Sequence, residues 1–229
     1  MTSCDQAYAT IRARLADAAA SAGHAVRLLA VSKTQPAAAV RALADLGQRD
    51  FGENYVQEAL AKQRELADPD LVWHLIGPLQ SNKCRDVAQH FDWLQSLDRA
   101  KLIEPLNRFR PAQAAPLNVL IQVNIDDEAS KSGCAPADVA TLARAVSAAP
   151  RLRLRGLMAI PAPNPDPAVR REAFRRMRAL YEGLRDDCPG VDTLSMGMSD
   201  DFALAIAEGA SLVRIGSALF GARPTRTAG

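Results

Sequence analysis

Short runs of apolar and β-favouring residues alternate along the chain with longer stretches in which apolar residues recur every three or four positions. The first pattern is that of buried strands, the second that of helices packed on one face. A leading helix is predicted over about residues 4–22, and a first strand over Arg27 to Val31. A helix follows Pro36 and stops at Gly47, where glycine suits a helix C-terminus. Further strands are predicted in "RDFGEN", "LVWHLIG", "DWLQSLD", "LNVLIQVNI", "LRLRGLMAI", "DTLSMGM" and "SLVRIGSALFG". Each of the first seven is followed by a helix-like stretch, the longest running from Pro167 to Leu184.

Eight strand–helix alternations, with connections long enough for right-handed crossovers, predict an α/β fold of the (β/α)8 TIM-barrel kind. A doubly wound open sheet uses the same units and is the competing arrangement. No shift in composition marks a boundary, so residues 1–229 are expected to form one domain. Its barrel would span about 27–221, and residues 222–229 read as a disordered tail.

Composition narrows the function classes. The chain is 48% hydrophobic and 24% charged with a net charge of +2, which gives no general pull toward nucleic acid or membrane. Cys4, Cys84, Cys134 and Cys188 have no paired spacing, so neither a disulfide framework nor a zinc site is expected, and a cytoplasmic setting follows. Three histidines leave little material for a metal centre. The N-terminal stretch lacks the apolar core of a signal peptide, and no run reaches the ~20 residues of a membrane helix. The helix "VRREAFRRMRAL" sets Arg170, Arg171, Arg175, Arg176 and Arg178 around Val169, Phe174, Met177 and Leu180, an outer barrel helix with a solvated cationic face.

Chemistry-bearing residues collect after the strand ends. Lys33 follows strand 1, and Glu53 and Asn54 follow strand 2; Asp98 and Arg99 end strand 4, Asn124 strand 5, Ser195 to Ser199 strand 7, and Arg214 to Ser217 strand 8. In a barrel these ends converge on the face where active sites are built. Gly197 and Ser199 in "SMGMSDD", with Gly216 and Ser217 in "RIGSALFG", fit a phosphate site of the strand 7–8 loops. The alternative is that Ser199 only caps a helix, with Asp200 and Asp201 favourable to its dipole.

Lys33 at the mouth could act as a nucleophile toward carbonyls, or simply be a solvated lysine past a strand. Joined to a phosphate site across the barrel, it points to a ligand with both an aldehyde and a phosphate: pyridoxal 5′-phosphate (PLP). Arg214 shares a strand face with Gly216 and could reach the pyridine nitrogen, holding it unprotonated and discouraging carbanion chemistry. An interior ion pair would also place an arginine there.

"LLAVSKTQP", "FGENYVQE", "WHLIGPLQSNK", "VLIQVNIDDEASKSG", "RGLMAIP", "LSMGMSDD" and "VRIGSALFGAR" resemble, in order, the signature blocks of the pyridoxal phosphate homeostasis protein family. That family is similar to the barrel domain of alanine racemase and fold-type III PLP enzymes. The resemblance implies that Lys33 forms a Schiff base with PLP and that Asn54 lies beside the cofactor. It further implies that Arg214 faces the pyridine nitrogen and that Ser199, Gly216 and Ser217 bind phosphate. Ser217 stands where members often carry threonine, which keeps the hydroxyl. The resemblance implies a monomer engaged in PLP supply and amino-acid and keto-acid balance, with no firmly established reaction. Apo PLP enzymes and free amino acids are the expected partners, and nucleic acid and membranes are not.

An amino-acid racemase using Lys33 as base is the alternative function. Two-base racemisation needs a second proton carrier on the opposite face of the substrate. Alanine racemase supplies a tyrosine through a further C-terminal domain and a dimer partner. Here the eighth strand is expected to end near Gly221, leaving eight residues. Tyr55 and His74 read as packing residues with satisfied polar tips rather than as that second base. Lys131 in "EASKSG" reads as a solvated loop lysine that could otherwise guide PLP or a recipient protein.

Overall fold

The computed structural model describes residues 3–127 and 132–221. Eight parallel strands close into a barrel in sequence order: β1 (Arg27–Val31), β2 (Asp50–Glu53), β3 (Val72–Leu75), β4 (Trp93–Leu97), β5 (Leu117–Val123), β6 (Leu152–Ala159), β7 (Thr193–Ser195) and β8 (Leu212–Ile215). Closure is made by β1 pairing with β8, Arg27 opposite Leu212 through Ala30 opposite Ile215. The open-sheet alternative is thereby excluded.

Helices form the outer layer: α1 (Ser3–Ala22), α2 (Ala37–Asp45), α3 (Val56–Leu66), α4 (Cys84–His90), α5 (Ile103–Phe109), α6 (Val139–Ser147), α7 (Pro167–Asp187), α8 (Phe202–Ala207) and α9 (Ser217–Phe220). Helix α1 precedes the barrel and packs on α8 and α9. The start of α7 follows from its sequence. Pro167 supplies a pre-set φ at the first helical position, and the Asp166 carboxylate accepts from the Ala168 amide at 2.8 Å. Phe174 and Met177 are buried beneath it, whereas Val169, expected on the apolar face, is 51% exposed. Its cationic face is ion-paired: Arg171 and Arg175 reach Glu208, Arg176 reaches Asp126, and Arg178 reaches Glu182.

Alternation along each strand divides the molecule into two cores. Outward side chains such as Leu28, Ala30, Phe51, Leu75 and Leu94 join the helices in one continuous apolar layer. Inward positions fill the barrel. At its N-terminal end the Trp93 ring lies between the Arg27 and Arg155 guanidiniums, 4.8 and 4.7 Å from its centroid, and stacks on His74. Arg155 also donates to Asn118 and Asp192, and Arg27 to Thr193. Leu29, Ile76 and Leu212 pack together in one inward cluster, and Leu120 and Met158 pack with Trp93 in another.

Several boundaries differ from the sequence expectation, two of them at the mouth of the barrel. The final apolar run is not one strand: β8 stops at Ile215, and after Gly216 residues Ser217–Phe220 form α9. A run this rich in apolar residues carries no periodicity with which to mark that change. Helix α8 begins at Phe202 with Asp201 as its N-cap residue, so Ser199 is not the cap. The expected tail and Lys131 lie outside the described residues. No helix among the described residues is long and apolar enough to cross a membrane.

Candidate functional site

The C-terminal ends of β1, β2, β8 and the loops after β6 and β7 surround a cavity of about 290 Å³. The six residues that the family resemblance implies line it, namely Lys33, Asn54, Ser199, Arg214, Gly216 and Ser217, whereas Glu53, Asp98, Arg99, Asn124, Ser195 and Gly197 do not. Residues 21 to 184 positions from Lys33 are thus brought to one place by barrel closure.

Each is placed by its local backbone. Lys33 lies two residues past β1 and is half-buried; Thr34 after it takes a left-handed φ of +65°, and Pro36 then starts α2. Asn54 follows β2 and lies against Gly77, where a Cβ would collide with the Asn54 carbonyl oxygen. Glycine at 77 therefore lets the β2 and β3 loops meet at the cavity wall. Gly197 adopts φ +92°, and a Cβ there would come within 2.5 Å of Ala205 Cβ, so only glycine lets the chain turn from β7 toward Ser199. Asp201 Oδ1 accepts from the Met198 amide at 2.7 Å and steadies the same turn.

Arg214 is the only one of the six that is fully buried, at 3% exposure. Its Nη1 donates to Ser195 Oγ and its Nη2 to the Ala159 carbonyl, both at 2.8 Å. Burial pulls its pKa down to about 10, with the Asp201 charge opposing, so the guanidinium stays charged at neutral pH. Among the described residues no carboxylate lies within ion-pair distance of it. A buried cation so placed favours an anion or a lone pair in the cavity it lines.

Behind Arg214 runs a directional chain of hydrogen bonds that sequence reasoning did not find. Ser195 Oγ donates to Gln95 Oε1 at 2.7 Å, and Gln95 Nε2 donates to His74 Nδ1 at 2.9 Å. His74 Nε2 in turn donates to Asp50 Oδ1 at 2.9 Å. His74 is fully buried, and burial holds its pKa below the ordinary imidazole value against the opposing pull of Asp50. The neutral Nε2–H tautomer is the one this chain requires. Burial alone would raise the Asp50 carboxyl, but the His74 hydrogen bond and the Arg27 charge oppose it and the net shift is downward. His74 is thus a packed residue with both polar tips satisfied, as expected. Tyr55 is not: it is 61% exposed at the start of α3.

The apolar wall of the cavity also escaped the sequence reading. Val31, Ile76, Ile160 and Met198 line it, together with Gln35, Asp200 and Gly221. The signal for the four apolar residues was their position at or just past strand ends, identical to that of the polar ones. Among the described residues no group of His, Cys, Asp and Glu could hold a metal ion.

The family model described as alanine racemase, N-terminal domain, matches residues 7–224. A protein of Pseudomonas aeruginosa named pyridoxal phosphate homeostasis protein is 58% identical over 226 residues, covering 97% of both chains. The chain belongs to the pyridoxal phosphate homeostasis protein family. The Escherichia coli member of this family is 53% identical over 94% of each chain. A solved structure of PipY from Synechococcus elongatus with PLP bound matches with a TM-score of 0.84 at 40% identity, covering 95% of this chain and all of that one. Alanine racemase from Corynebacterium glutamicum matches with a TM-score of 0.67 at 20% identity, and this chain spans 61% of its length. That last likeness is one of fold alone.

Proposed function

We propose that this protein binds PLP in the barrel-mouth cavity and serves intracellular PLP homeostasis, holding the cofactor at Lys33 without turning over a substrate. The observation that carries the reading is the convergence of Lys33, the buried Arg214 and the Ser199/Gly216/Ser217 wall on one cavity. These residues fit the group. A buried guanidinium with no carboxylate partner among the described residues suits the lone pair of a ring nitrogen, and the Ser199 and Ser217 hydroxyls with the Gly216 backbone suit a phosphate.

Lys33 supplies the amine that takes the aldehyde, and Asn54 lies beside the ring. Arg214 donates toward the pyridine nitrogen, while Ser199, Gly216 and Ser217 hold the phosphate. When bound, PLP supplies an electrophilic aldehyde and an electron-withdrawing ring. An arginine, which has no proton to give up at neutral pH, keeps the ring nitrogen unprotonated and weakens that electron sink. The four cysteines are free, which suits a reducing cytoplasm. The 40% identical PipY, solved with PLP, and the relatives named for PLP homeostasis support the same reading.

Free amino acids and apo PLP enzymes are the partners we assign, and a monomer suffices because the six residues come from one chain. Mixing the PLP-loaded protein with an apo PLP enzyme should restore that enzyme's activity; failure under all conditions tried would remove the donor role. Chiral analysis of L-amino acids incubated with the loaded protein should show no D-isomer. Racemisation lost in Lys33→Ala would instead establish an enzyme.

A further inference from the structure

Beneath the loop that carries Lys33 lies an ion cluster that the cavity does not contain. Lys62, from α3, is 5% exposed, and its Nζ sits 2.7 Å from each of three oxygens: the Ser32 carbonyl, Glu53 Oε1 and Glu58 Oε1. Glu53 is fully buried at the end of β2 and accepts the Ser32 hydroxyl at 2.6 Å through the same Oε1. Glu58 accepts the Thr34 backbone amide at 2.6 Å. Ser32 and Thr34 are the two residues flanking Lys33.

Three of these five contacts converge on one short segment from outside the barrel, and the other two tie the carboxylates that make them to Lys62. Ser32 is held at its carbonyl and its hydroxyl, and Thr34 at its amide. Thr34 is also one of three non-glycine residues with positive φ among those described. A backbone conformation of that kind persists where its surroundings over-determine it. Isolated buried ion clusters are weak sources of stability, since desolvation offsets most of the attraction. Glu53 Oε2 even lacks a hydrogen-bond partner among the described residues. What this cluster does supply is aim.

We propose that Lys62, Glu53 and Glu58 are positioning residues for Lys33: by fixing Ser32 and Thr34 they present its amine to an aldehyde held in the cavity. The proposal deepens the reading of Lys33 as the amine that takes PLP, and rests on it. In the step concerned, the free-base ε-amine adds its electron pair to the aldehyde carbon. A C=N bond forms and the carbonyl oxygen leaves as water, with both its protons drawn from the amine. A misdirected amine slows that step without touching the phosphate contacts across the cavity.

Pyridoxine 5′-phosphate separates the two effects, because it carries the ring and phosphate but an alcohol in place of the aldehyde. In the full chain, Lys62→Met should bind pyridoxine 5′-phosphate with wild-type affinity while absorbance-monitored condensation with PLP slows by about tenfold to a hundredfold. Glu58→Gln, at a site whose side chain is 28% exposed and which keeps an acceptor for the Thr34 amide, should slow condensation by a smaller factor and serves if Lys62→Met does not fold. Unchanged condensation in both variants would overturn the proposal. So would equal losses for PLP and pyridoxine 5′-phosphate, the mark of a merely structural role. Borohydride labelling of the wild-type protein separates the two claims. A label at Lys33 with normal rates in the variants sinks only the positioning role, whereas no label at Lys33 sinks the underlying assignment as well.

Discussion

At the scale of single residues, Arg214 and His74 divide the chemistry between them. The guanidinium is charged, buried and without an ion-pair partner among the described residues, so its removal takes away the cavity's buried donor to a ligand lone pair. Arg214→Gln should weaken PLP binding by about tenfold or more, the size expected when a charge-assisted hydrogen bond is lost, as read by equilibrium dialysis. His74 makes a different prediction. Its imidazole pKa is depressed in the folded protein by burial, so the unfolded chain binds the proton first as pH falls. The stability it contributes is fully present above the ordinary value of about 6.5 and is lost as pH drops through the lower folded value. Thermal melting of the wild-type protein should therefore fall more steeply below that pH than melting of His74→Gln; parallel curves would contradict the neutral, buried assignment.

At the scale of elements, strand–helix units set the positions of the site residues, and the sequence made most of those units legible. β1 matches its expected bounds, because Arg27 to Val31 is a compact β-favouring run closed by Ser32 and a turn at Pro36. The boundary near Gly216 was not legible: apart from Arg214, Gly216 and Ser217, "LVRIGSALF" is apolar on both sides of it, and the backbone turn at Gly216, φ −120° and ψ −80°, separates strand from helix. The Asn54–Gly77 contact was equally hidden, since it depends on how closely two loops approach. Gly77→Ala should push Asn54 away from the cavity wall, lowering both melting temperature and PLP affinity. An alanine variant indistinguishable from wild type in both measurements would show that the approach is not needed.

At the scale of the whole molecule, barrel closure converts eight separate strand ends into one mouth. Strand counting sufficed to place Lys33, Asn54, Ser199, Arg214, Gly216 and Ser217 on a common face, because every strand of a parallel barrel points its C-terminus the same way. It did not place the Arg214–Ser195–Gln95–His74–Asp50 chain, which crosses the barrel interior and pairs residues up to 100 positions apart. Such a chain requires the angular order and stagger of the strands, and neither is written in periodicity. The N-terminal end of the barrel depends on the same closure. Trp93→Ala would empty the space between Arg27, Arg155 and His74, and should cost about 3–5 kcal/mol in chemical denaturation.

The central claim is that Lys33 is the amine that holds PLP. Borohydride reduction of the PLP-loaded protein, followed by proteolysis and mass-spectrometric peptide mapping, tests it most directly. The account predicts a pyridoxyl group on the peptide carrying Lys33 and loss of the visible absorbance band. A pyridoxyl group on any other residue, with Lys33 unmodified, would contradict it.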